Sequence, residues 1–132
     1  MSSPISPIFV VEGLDIGVYA TVEDAKLSLE PWWVEQNLGV VYDAEGRLLK
    51  LDSGDKSVYI SLGEAEPTHA AELEAILRSY LKAIGDPRGD DLSCNLKCLV
   101  EYCRKFISIP LSPKEIIADF FRKVFSIFKR GE

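Results

Sequence analysis

One histidine, three cysteines, 21 carboxylates and a pair of adjacent tryptophans are the residues of this 132-residue chain that could do chemistry. His69 is the only imidazole, the one side chain able to exchange protons near neutrality without help from its surroundings. A nucleophilic mechanism would need a serine or cysteine within its reach, and spacing indicates none. Cys94, Cys98 and Cys103 lie within ten residues of one another. An odd number on one expected helix makes a poor disulfide framework, and a metal would want more ligands nearby than the distant His69. These cysteines read as small hydrophobes on a helix. A Gly-rich phosphate loop, HExxH, paired CxxC and GxSxG are all missing from the sequence, and no carboxylate pair stands out as buried. No catalytic, metal-ligating or cofactor-binding residue is therefore expected, nor is enzymatic activity.

Trp32-Trp33 points to binding instead. Adjacent residues of a strand or loop face opposite ways, so one indole can enter the core while the other stays exposed. An exposed tryptophan is the side chain most enriched in interface hot spots. Packing of both indoles inside is the alternative.

Charge narrows the partners. Residues 1–85 carry 6 Lys and Arg against 14 Asp and Glu, a net −8, and residues 86–132 carry 9 against 7, a net +2. Phosphate backbones repel an acidic body, which argues against nucleic acid and for a basic protein partner, or for solubility alone. Apolar residues make up 47% of the chain and charged residues 27%, the balance of a soluble globular domain. No apolar run reaches the roughly 18–20 residues of a membrane span. The start, Met1-Ser2-Ser3-Pro4, lacks a basic n-region, so no signal peptide is expected and the cytoplasm is the expected compartment.

The elements that must position these residues are organised around Leu38 to Leu51. Period-two alternation on both sides of Asp43-Ala44-Glu45-Gly46 predicts an antiparallel hairpin, with Asp opening the turn and Gly closing it. Val58 to Leu62 alternates likewise and extends the hairpin to a meander. Upstream, Ile8-Phe9-Val10-Val11 reads as a strand and Asp15 to Ala20 as a second extended piece. Thr21 caps a short helix burying Val22, Ala25 and Leu29, which Pro31 ends. Thr68 caps the clearest helix, whose face is Leu73, Ile76, Leu77, Tyr80, Leu81 and Ile84, with Gly85 in the C′ place.

Asp86 to Asp91 is the credible boundary. It divides a core over residues 1–85 from a C-terminal helical extension over 86–132. Leu92, Leu96, Leu99, Cys103 and Phe106 mark one helix of that extension. Ser112-Pro113-Lys114-Glu115 is a capping box opening the other, whose face is Ile116, Ile117, Phe120, Phe121, Val124, Phe125 and Phe128. The basic residues flanking that phenylalanine face allow it to lie on a membrane, but packing against its neighbour is the ordinary use. The fold class is α+β: a small antiparallel meander sheet packed by helices, with a C-terminal helical pair.

Four runs resemble a known family. Tyr19-Ala20-Thr21-Val22-Glu23-Asp24-Ala25, Leu29-Glu30-Pro31, Val41 to Leu49, and Pro67-Thr68-His69 are similar to small immunity proteins encoded beside bacterial polymorphic toxins. The resemblance spans about residues 5–85. The tryptophan pair and the segments after Asp86 depart from it. It implies a cytosolic, non-catalytic inhibitor that neutralises a cognate toxin domain by blocking its active site or substrate access. The partner-binding residues expected on the acidic, partly aromatic surface are Glu30, Trp32, Trp33, Glu35, Asp43, Glu45 and Asp55. No cofactor, nucleic acid or membrane partner is expected. The other reading is a non-catalytic regulatory or scaffold module that uses its C-terminal helices for oligomerisation or membrane contact.

Overall fold

Ile8, Phe9, Val10 and Val11 are all buried in the computed structural model, which describes residues 3–108. A strand dry on both faces must lie between two layers, and this one does. Phe9 and Val11 enter one core while Ile8 and Val10 enter another. The elements run β1 (Ile8–Glu12), β2 (Asp15–Tyr19), α1 (Val22–Ser28), α2 (Pro31–Glu35), β3 (Val40–Tyr42), β4 (Leu49–Ser53), β5 (Val58–Leu62), α3 (Ala70–Ala83), α4 (Leu96–Cys103) and β6 (Ile107–Ser108). β1 reverses into β2 over Gly13-Leu14, with Gly13 at φ +59, a conformation that suits glycine. β3 flanks β1 antiparallel, and β6 runs parallel beside β2, giving the order β3-β1-β2-β6.

The fold is α+β, in three layers. α3 and α4 cover the Phe9 face, packing Leu73, Leu77, Leu81, Leu99, Val100 and Cys103 against Val18 and Tyr42. On the other face, Ala25 of α1, Trp33 and Val34 of α2, and Leu49 and Val58 of the β4–β5 ribbon close over Ile8, Val10 and Val41. Among the described residues, no helix is long and apolar enough to cross a membrane.

The turn at Asp43–Gly46 forms where the sequence predicts it, with Gly46 at φ +84 and its N–H bonded to the Asp43 carbonyl at 3.1 Å. The single meander does not form. β3 and β4 share only the Tyr42–Leu48 bridge before they part. β3 hydrogen-bonds β1, while β4 and β5 pair separately as a two-stranded sheet. Val41 and Tyr42 are buried on opposite faces, which an outlying meander strand could not achieve.

Thr21 caps α1 as its sequence predicts, its Oγ1 accepting the Asp24 N–H at 3.1 Å. Pro31 does more than end α1. Glu30 and Leu29 are extended, and Pro31 then takes the first position of α2, where its missing N–H costs nothing. α3 buries Leu73, Leu77 and Leu81, and Gly85 closes it at φ +77. Its N-cap is His69 rather than Thr68, whose hydroxyl is spent on Glu64. Beyond Asp86 the chain stays on this same core. Tyr102 donates to the Asp86 carboxylate, and Arg78 reaches the carbonyls of Asp91, at 2.9 Å, and Cys94. The helix expected from Ser112, with its phenylalanine face, lies outside the described residues.

Cys94 and Cys98 are joined by a disulfide, which corrects their reading as plain hydrophobes. Cys94 sits in the turn before α4 rather than on it, which lets the two Cα atoms approach to 5.1 Å. Cys103 is free and buried; burial, with the Asp86 charge second, pushes its thiol up to about 11. Closing so short a loop restricts the unfolded chain by roughly 2 kcal/mol in the loop-entropy account. Reduction, or Cys94→Ser with Cys98→Ser, should lower the urea midpoint by a corresponding amount; unchanged midpoints would show the link to be idle.

Candidate functional site

The joint between α1 and α2 is what creates a site. Leu29 and Glu30 hold the chain extended for two residues before α2 restarts, and the rotation of about 100° per helical residue makes its two indoles diverge. Trp33 is 6% exposed and belongs to the core, whereas Trp32 is 53% exposed. The expected division between the indoles is therefore realised, but on a short helix rather than a strand or loop. Room for Trp33 comes from Gly39, where a Cβ would stand 2.6 Å from the indole ring and 2.2 Å from the Val11 carbonyl.

Between that joint and the outer half of the β1–β2 hairpin runs a groove of about 340 Å³. Val10 and Trp33, both buried, line it together with Gly17, Tyr19, Leu29 and the exposed Trp32. Glu12, Asp15 and Glu30 add three carboxylates to the lining, and among the described residues no lysine or arginine joins them there. Glu12 and Asp15 are direct partners across the hairpin. Among the described residues none of the three makes a side-chain hydrogen bond or an ion pair. The arrangement is an open, negative, aromatic-sided slot, suited to a cation or a basic side chain. Among the described residues its one aliphatic hydroxyl, Ser28, donates to the Ala25 carbonyl at 2.7 Å.

Of the seven residues assigned to partner binding from sequence, Glu30, Trp32 and Trp33 meet here. The others do not. Glu35 ends α2, where its Oε1 accepts from the Ser53 hydroxyl at 3.4 Å. Glu45 lies exposed at the first hairpin turn and Asp55 at the tip between β4 and β5. Asp43 corrects the assignment outright, because it is 0% exposed and cannot meet a partner. Its Oδ1 accepts the N–H groups of Glu45 and Arg47 at 3.1 and 2.9 Å. Its Oδ2 accepts Ile5 N–H at 3.1 Å and Arg47 Nε at 2.8 Å. Glu12 and Asp15 were missed by the sequence reading. Their signal was the pairing of two carboxylates around Gly13-Leu14, visible only once that turn is recognised as a two-residue hairpin.

His69 is held by carboxylates on two sides. Its Nδ1 lies 2.9 Å from both oxygens of Glu64, and its Nε2 stands 3.9 Å from Glu72. Glu64 also accepts the Leu48 N–H at 2.9 Å and the Thr68 hydroxyl. One carboxylate thus ties β4, the loop after β5 and the start of α3 together. The Thr68 hydroxyl foremost, followed by His69 and Leu48, holds the Glu64 carboxyl down at about 2. Burial above all, with Glu72 second, pushes the Tyr42 phenol beside it up to about 12, so it stays neutral. Because Glu64 is depressed on folding, its contribution is present in full above its ordinary value of 4.5 and is lost as pH falls towards 2. Glu64→Gln should therefore flatten the fall in melting temperature between about pH 5 and pH 2. Equal slopes for the two proteins would remove Glu64 from the acid response.

Compared with protein-family models, curated proteins and solved structures, the chain matches none.

Proposed function

We propose that this chain is an immunity protein, a stoichiometric inhibitor that binds a cognate bacterial toxin domain and covers its active site or the path of its substrate. The observation that carries the reading is Trp32, a half-exposed indole beside a groove with three uncompensated carboxylates. A large aromatic surface left in water is costly unless a partner covers it, and such anchors dominate interface energetics. The negative rim suits a target whose own site is basic, as enzymes acting on phosphate-bearing substrates are. The four runs between Tyr19 and His69 that resemble immunity proteins support this reading over other binding roles.

The test is co-expression with the toxin-like domain encoded by the neighbouring reading frame. Wild-type protein is expected to restore growth and to co-purify with the toxin at one to one. Failure to do either with that toxin defeats the immunity reading.

A further inference from the structure

We infer that the groove beside Trp32 receives an arginine side chain of the partner, its guanidinium against the indole and among Glu12, Asp15 and Glu30. This rests on the reading of that groove as the partner-binding face and adds what enters it.

Charge comes first. Glu12 and Asp15 oppose each other across the hairpin, a placement of like charges that destabilises a strand pair. Glu30 brings a third negative charge from the α1–α2 joint, and among the described residues of the lining no cation offsets any of them. A positive group entering the slot relieves the repulsion and gains charge-assisted hydrogen bonds at once.

Shape comes second. Gly17 carries no side chain, and the Tyr19 ring fills the space beside it so closely that a Cβ there would stand 2.9 Å from a ring carbon. Tyr19 and Trp32 therefore present aromatic surface on a slot whose rim is acidic. A cation over an aromatic face is attracted by the ring quadrupole, most strongly by tryptophan.

The two features select guanidinium over ammonium. Lysine offers a compact, strongly hydrated charge that must be stripped of water to sit against a ring. Arginine is flat, less hydrated, and fans five donors toward several carboxylates while its plane stacks on an aromatic. The lining supplies both demands: oxygens dispersed over two elements, and rings between them.

The chain reports on this slot directly, because Trp32 and Trp33 are its only tryptophans and both line it. Intrinsic fluorescence of the full chain would be titrated with acetyl-Gly-Arg-Gly-amide, its citrulline and lysine counterparts, and tetramethylammonium chloride. The arginine peptide is expected to give a saturable emission change with a half-point about tenfold below the uncharged citrulline peptide. Lysine and tetramethylammonium should be weaker than arginine. In Glu12→Gln/Asp15→Asn/Glu30→Gln the arginine response should fall by about tenfold with circular dichroism unchanged. If that variant does not fold, Glu30→Gln alone, exposed at the joint, carries the comparison. Equal responses to arginine and citrulline, or an unaltered response in the carboxylate variants, overturn the inference. Lysine or tetramethylammonium matching arginine overturns the choice of guanidinium. Growth rescue without any arginine response sinks this inference and leaves the immunity reading standing; an arginine response without rescue does the reverse.

Discussion

Asp43→Ala should destabilise the protein by about 3–5 kcal/mol, the cost of leaving a buried charge without its partner. Arg47 is only 4% exposed, and its guanidinium has two tasks: Nε donates to Asp43 at 2.8 Å and Nη2 to the Ser3 carbonyl at 2.9 Å. Removing the carboxylate strands that charge and also frees the N–H groups of Ile5, Glu45 and Arg47. The turn and the N-terminal segment lose their common anchor together. Asn should be little better, since its NH2 faces donors in either orientation: Ile5 N–H and Arg47 Nε in place of Oδ2, or the Glu45 and Arg47 N–H groups in place of Oδ1. Asp43→Ala with Arg47→Met should recover part of the loss, because the orphaned charge goes with it. Urea midpoints of the four proteins check this. A loss under 1 kcal/mol for Asp43→Ala would mean the pair is solvated despite its burial.

That same residue shows where reading from sequence stops. Asp in a hairpin turn is correctly expected to accept an N–H two residues on, and it does so from Glu45; the Arg47 N–H four residues on is a further bond. What places it inside is Ser3-to-Ile5, a segment some forty positions away, and turn chemistry carries no trace of so distant a lid. The split of the meander has the same origin. Alternation identifies β3, β4 and β5 as extended with a dry face, but β1, dry on both faces, competes for β3 and wins it. Several local signals fared better: Thr21 over Asp24, the Leu73–Leu77–Leu81 stripe, Gly85 at the end of α3; Thr68 did not, because Glu64 claims its hydroxyl. Pro31 was ambiguous because proline both ends one helix and begins another, and only the second role puts Trp32 beside Glu30 in a groove. The disulfide was hidden by one assumption, that α4 begins before Cys94.

For the proposed immunity function, Trp32→Ala should weaken toxin binding by about 2–4 kcal/mol, nearly all of it through faster dissociation. Trp32 can be removed without opening the core, because Trp33 and Val34 make the buried contacts of α2 while Trp32 faces out. Folding is then unaffected, and the lost energy belongs to the interface. The carboxylates should behave differently. Glu12→Lys with Glu30→Lys reverses the field at the groove without touching a buried group, and charges at a rim act mainly by steering the encounter. Association should slow by about tenfold at low ionic strength, and the deficit should shrink as added salt shortens the Debye length toward 8 Å. Asp43 has no place in this set, since reversing it would unfold the turn and imitate an interface defect. Glu35, Glu45 and Asp55, exposed but away from the groove, supply the comparison: their reversal should alter the association rate less than reversal at the groove. Surface-immobilised toxin and stopped-flow mixing at two salt concentrations separate the two rates. Dissociation unchanged by Trp32→Ala moves the anchor off α2. A salt-independent association rate would mean that shape, and not the acidic groove, guides the encounter.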